Sequence, residues 1–115
     1  MHELSICQAL LAQVERVVTE HQAHSAARLV VRVGPLAGVE PRLLQEAFPI
    51  AAAGSVAQSA ELHIEELPLR VHCDSCGAES DAQPNRLLCG ACGDWHTRLI
   101  SGDEMVLASV ELIKS

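Results

Sequence analysis

Cys73-Asp-Ser-Cys76 and Cys89-Gly-Ala-Cys92 form two C-x2-C pairs separated by twelve residues. Each short pair presents two sulfurs to one ion, and two pairs supply the four ligands of a closed tetrahedron. Gly77, Gly90 and Gly93 fall in or just after these two knuckles, where the backbone must turn tightly around a metal. Cys73, Cys76, Cys89 and Cys92 are therefore read as a zinc-ribbon site. Four sulfurs leave no open coordination position, so this zinc is structural and not a Lewis acid. A pair of disulfides and a thioredoxin-like dithiol are the competing readings, and ligand number and spacing favour zinc over both. The fifth cysteine, Cys7, lies on the apolar stripe of a helical pattern and reads as a small buried hydrophobe.

A second chemistry sits at the other end. His2 directly follows Met1. In an Xaa-His terminus the free amine, the amide nitrogen of residue 2 and the imidazole can close adjacent chelate rings on one ion. Nitrogen-rich, near-planar donor sets of this kind suit Ni(II) or Cu(II). Both the amine and the imidazole must lose protons first, so such binding strengthens from about pH 6 to 8. On spacing alone the signal is weak, because a second-position histidine is usually an exposed residue. His21 and His24, at the end of the first helix, are explained by the helix dipole or by exposure. His72 and His96 flank the cysteine pairs without being needed for the tetrahedron, so their default roles are in supporting hydrogen bonds or at the surface.

The elements that must position these groups follow from periodicity. From about Glu3 to His21, Leu4, Cys7, Leu11, Val14 and Val18 recur at helical spacing, flanked by Leu10 and Val17. Arg28 to Val33 alternates, with Leu29, Val31 and Val33 on one face, and Gly34-Pro35 ends this strand. Pro41 fits the first position of a second helix with Leu44, Ala47, Phe48 and Ala51 as its apolar face. Pro49 inside that pattern predicts a kink or an early end, and Gly54 a C-terminal stop. Glu61 to Leu67 alternates again, with His63 facing solvent. Ser101-Gly102-Asp103-Glu104 is a turn, and Met105 to Ile113 a last strand with Val106, Ala108, Val110 and Leu112 on one face. That strand is expected to return to the sheet begun by the first two. The fold class is thus α+β: a small three-stranded sheet with two helices, carrying an inserted four-cysteine zinc ribbon. The boundaries read as 1–68 plus 104–115 for the first domain and 69–103 for the ribbon.

The formal net charge of -7, with Lys114 as the single lysine, opposes a nucleic-acid partner, whose phosphates demand clustered Lys and Arg. The only aromatic residues are Phe48 and Trp95, which leaves no stacking platform for bases. No export signal and no apolar run of about 18 residues is present, so the chain is expected in the cytoplasm without membrane insertion. No nucleophile with a base beside it is evident, and a closed zinc site offers no place for a substrate, so catalytic residues are not expected.

Met1-His2-Glu3-Leu4-Ser5, Gly38-Val39-Glu40-Pro41, the spaced cysteines and Ser101-Gly102-Asp103-Glu104-Met105, in that order, closely resemble the HypA/HybF family of hydrogenase nickel-incorporation proteins. The likeness covers essentially the whole chain. Many unrelated ribbons share the cysteine motif, but its combination with an N-terminal Met-His-Glu is specific. The resemblance implies a nickel metallochaperone whose Ni(II) ligand is His2, joined by backbone nitrogen donors of Met1, His2 and Glu3. A large second residue should also protect Met1 from removal by methionine aminopeptidase. It maps the family's zinc ligands onto Cys73, Cys76, Cys89 and Cys92. It implies two partners, the hydrogenase-maturation GTPase HypB and the [NiFe]-hydrogenase large subunit, and leaves room for a homodimer. The alternative is a zinc-ribbon module that binds protein or nucleic acid and delivers no nickel.

Overall fold

A computed structural model describes residues 2–114, and the chain divides into two compact units. The first is built from the chain up to Arg32, from Val39–Glu65 and from Val106 onward. It begins with α1 (His2–Glu20), in which Cys7, Leu10, Leu11, Val14 and Val18 are buried. Those positions recur every three or four residues, which puts them on one stripe. Each fully buried Leu or Val of this kind contributes about 1.5–3 kcal/mol by leaving water. Gln22 adopts the left-handed conformation just past the helix, and the His21 ring Nδ1 lies 3.0 Å from the Val17 carbonyl oxygen. The same Val17 carbonyl accepts the His21 backbone N–H at 3.1 Å, so backbone and ring of His21 both close the last turn.

The second helix, α2 (Pro41–Ala52), has Pro41 in its first turn, and the Glu40 carboxylate accepts from the Arg42 N–H at 3.3 Å. Leu44, Phe48 and Ala52 are its buried face, and α1 packs against α2. The Cys7 Sγ sits 3.8 Å from the Leu44 carbonyl oxygen across that pair, fully buried, as its place on the stripe predicts. Pro49 does not end the helix early: α2 runs three residues beyond it. The proline ring is exposed, and Phe48 and Ala52 on either side of it are anchored in the core, so the helix tolerates one lost bond to the Gln45 carbonyl. Gly54 follows at φ +79°, the left-handed stop expected there.

The sheet of this unit has the order β2-β1-β6. Its central strand, β1 (Ser25–Val33), buries Ala26, Leu29, Val31 and Val33, and starts three residues before the alternation is visible. On its edges lie β2 (Glu61–Glu66) and β6 (Met105–Ile113). The last strand does join the first two in one sheet. Its expected inward face is wrong in part, because Val106 and Ala108 are exposed. Met105 and Leu107 are half-buried, the alternation breaks at the exposed Ala108-Ser109, and Val110 and Leu112 are half-buried beyond it. An edge strand with no residue fully buried does not enforce a single two-residue period along its length.

The second unit comprises Val33–Gly38 and Glu66–Met105. Its three-stranded sheet has the order β4-β3-β5. The middle strand, β3 (Arg70–Cys73), pairs antiparallel with β4 (Glu79–Asp81) and β5 (Thr97–Ser101). Arg70 bonds Asp81 at 2.8 Å across the first pairing. Val33, Leu69, Val71, Cys73 and Cys89 are its buried hydrophobic residues, a core too small to hold a domain of this size without a metal. At its base, Gly34 donates to the Glu104 carbonyl (2.8 Å) and Leu36 to the Gly102 carbonyl (2.7 Å). Gly102 has φ +118° and a Cβ there would press on Leu69, while a Cβ on Gly34 would overlap the Gly102 backbone. Both positions therefore require glycine.

Candidate metal centres

The cysteine cluster is assembled by two hairpin-like turns. Cys73 ends β3, and the chain turns through Gly77 (φ +78°) so that the Gly77 N–H reaches the Cys73 carbonyl at 2.9 Å. Cys89 begins the matching turn, with Gly93 (φ +78°) donating to the Cys89 carbonyl at 2.9 Å. Gly90, by contrast, lies against Ser80 and donates to its hydroxyl at 2.9 Å. The four Sγ atoms lie within 4.8 Å of one another. Cys73 and Cys92 sulfurs are 3.6 Å apart, as are those of Cys76 and Cys89. A tetrahedral zinc with bonds of about 2.3 Å needs sulfur–sulfur edges of about 3.8 Å, so the cradle fits that ion. Among the described residues this is the one such grouping of His, Cys, Asp and Glu.

The surroundings favour thiolates. The Cys76 N–H points to the Cys73 sulfur at 3.4 Å, and the Ala91 and Cys92 N–H groups point to the Cys89 sulfur at 3.3 and 3.4 Å. The Cys92 and Ala91 amides pull the Cys89 pKa down to about 6 in the metal-free cluster. At Cys92 the Asp94 amide pulls downward, but the neighbouring sulfurs, Cys73 first, outweigh it and push the pKa up to about 12. Cys76 is likewise raised: the Ala78 amide lowers it, and the Cys89 sulfur leads the opposing contributions. Four sulfurs this close cannot all ionise without a cation between them, and a bound zinc supplies that charge.

The histidines beside the cluster are held elsewhere. His72 is half-buried on β3 with Nδ1 3.8 Å from a Glu79 carboxylate oxygen. His96 is exposed, stacked on Trp95 with ring centroids 3.7 Å apart, and its Nδ1 lies 2.8 Å from the Asp94 Oδ1. The other Asp94 oxygen accepts from the Ser75 hydroxyl. Ser75 and Asp94 thus bond across the two knuckles, and sequence spacing does not single them out.

In the first unit, His2 is exposed as the first residue of α1, and Glu3 is half-buried in its first turn. Met1, the third residue expected at a nickel site, lies outside the described residues. Glu3 and Leu4 line a shallow cleft with Leu43, Glu46, Ala47 and Ile50 of α2. Cys7, one turn further along, has a pKa raised by burial and by the nearby Glu3 charge, so it stays a thiol.

These features define a small α+β metalloprotein, with one unit built around four cysteines and the other presenting a histidine at the start of its first helix. Residues 1–112 match the family described as hydrogenase/urease nickel incorporation, metallochaperone, hypA. The chain belongs to that family. It is 47% identical over 113 residues to a hydrogenase maturation factor HypA of Nitrosospira multiformis, covering 98% of each chain. Identity to the HypA of Aquifex aeolicus is 45% over 112 residues, 97% of each. The fold is similar to the solution structure of the Ni metallochaperone HypA from Helicobacter pylori, with a TM-score of 0.74, 26% identity and 98% of each chain covered. As a member of a metallochaperone family the protein is a maturation factor and not an enzyme. No helix among the described residues is long and apolar enough to cross a membrane.

Proposed function

We propose that this protein binds Ni(II) at its N-terminus and delivers it to the large subunit of a [NiFe]-hydrogenase in the cytoplasm. The observation that carries the reading is the family match beginning at residue 1, together with His2 standing exposed where an ion can enter and leave. The ligand set is the His2 imidazole with backbone nitrogens of Met1, His2 and Glu3. Such a chelate binds through several nitrogens at once, yet releases them one at a time when a stronger site is presented. The nickel domain is then 1–68 plus 104–115, and the zinc ribbon, 69–103, holds zinc on Cys73, Cys76, Cys89 and Cys92; the compact units depart from these bounds where 33–38, 66–68 and 104–105 group with the ribbon.

Zinc there supplies the cross-link that so small a buried core cannot, and takes no part in nickel chemistry. The maturation GTPase docks on the first unit, where Leu43 and Ile50 of α2 are exposed beside Glu3 and Leu4. The test is complementation of a strain lacking the endogenous protein. Wild type restores hydrogenase activity, and a variant with two residues added before Met1 does not, because the amine has moved off the chelate. Full activity from the extended variant would overturn the N-terminal site.

A further inference from the structure

The two cysteine knuckles are joined by more than sulfur. Ser75 lies between the ligands of the first knuckle, and its hydroxyl donates to the Asp94 Oδ2. Asp94 follows the second knuckle by two residues, and its Oδ1 receives the His96 ring Nδ1 at 2.8 Å and faces the His96 amide at 3.3 Å. The Asp94 side chain is 26% exposed, the least exposed partner in any of the ribbon's ion pairs. Its own carbonyl accepts from the Cys89 N–H at 2.9 Å, so the backbone carrying the carboxylate is fixed to the first ligand of its knuckle. A second bridge runs beside it, from the Asp74 N–H to the His96 carbonyl at 2.8 Å, and the Arg98 Nε bonds the Asp74 carboxylate at 2.8 Å.

We infer that Asp94 is a positioning residue for the four-sulfur site: its carboxylate, held by His96, clasps the first knuckle through Ser75 and slows the loss of zinc. The inference rests on the reading of the cluster as a zinc site. A zinc ion leaves such a site when one knuckle swings away and exposes two sulfurs to a competing ligand. A charge-assisted bond between the knuckles opposes that motion directly, and groups that fix metal ligands in this way commonly govern metal retention. For a protein that carries one metal as cargo, a second metal that cannot drift out keeps the two ions from mixing.

The experiment follows zinc transfer from the full-length protein to an excess of a chromogenic chelator at neutral pH. Zinc content of the wild type as isolated comes first, and less than one zinc per chain would overturn the reading of the site itself. With zinc present, Ser75→Ala and Asp94→Ala are expected to transfer it roughly ten- to a hundredfold faster. Ser75→Thr, which keeps the hydroxyl, should remain within about twofold of wild type. The double variant should be no faster than Asp94→Ala alone, because both changes remove one bond. A merely general loosening of the ribbon would make the effects multiply and would not be rescued by threonine. Wild-type transfer rates in both alanine variants would overturn the clasp while leaving the zinc site standing.

Discussion

At the scale of single residues, the cysteine cluster is governed by proton bookkeeping. In the metal-free protein at pH 7, Cys89 (about 6) is a thiolate while Cys92 (about 12) and Cys76 (raised) keep their protons. Zinc binding must expel those protons, so uptake near neutrality should release at least the two from Cys76 and Cys92, and affinity should fall as pH falls. Calorimetry in buffers of different ionisation enthalpy would read the proton count, and zinc uptake without proton release would contradict the thiolate assignment. In a cluster assembled before metal enters, the depressed Cys89 is stabilising above the ordinary thiol pKa and loses that effect as pH drops through about 6, while the raised Cys92 is stabilising below its ordinary value and loses it as pH climbs through about 12. Neither effect replaces the zinc that holds the ribbon. The cysteines were fully legible in the sequence, because ligand spacing is local. Ser75 and Asp94 were not, since an Asp–Ser bond spanning 19 residues leaves no periodic trace.

Elements came through unevenly, for physical reasons. Helix α1 is long and amphipathic, so its stripe announces Cys7, Leu11, Val14 and Val18 without ambiguity. The ribbon strands β3, β4 and β5 have three to five residues each, too short for an alternation to register. Strand β6 has the length but lies on an edge, where Val106 and Ala108 tolerate exposure. Pro49 predicts a kink or an early end, and the early end does not occur: sequence shows the lost N–H but not the core that anchors Phe48 and Ala52. Replacing it with alanine restores the bond to the Gln45 carbonyl near the helix end. The expected gain in unfolding free energy is about 1 kcal/mol, less than the roughly 3 kcal/mol of a helix centre. A loss of stability in chemical denaturation would show that the proline is fitted to its place. Leu44→Ala should cost about 2–5 kcal/mol, since Leu44 is fully buried where α2 meets α1. Gly34→Ala should be worse for the second unit, because its Cβ meets backbone that cannot rotate away. Zinc content of purified Gly34→Ala is the readout, and full occupancy with unchanged stability would contradict the close approach.

For the whole molecule, two units with different sources of stability imply two separate responses to metal removal. The first unit carries both helices and most of the buried aliphatic residues, whereas the second buries only Val33, Leu69 and Val71 beside Cys73 and Cys89 of the cluster. Stripping zinc with a strong chelator should therefore abolish chemical-shift dispersion in the ribbon while the helical far-ultraviolet signal persists. Simultaneous loss of both would mean that the units do not fold independently. The division of labour also sets the central test. Metal content and nickel titration on untagged protein with its native Met1, comparing wild type with His2→Ala, address it most directly. One zinc per chain is expected in both proteins, with nickel bound by the wild type alone. Equal nickel binding by His2→Ala would rule out the N-terminal chelate and move the cargo site to other residues.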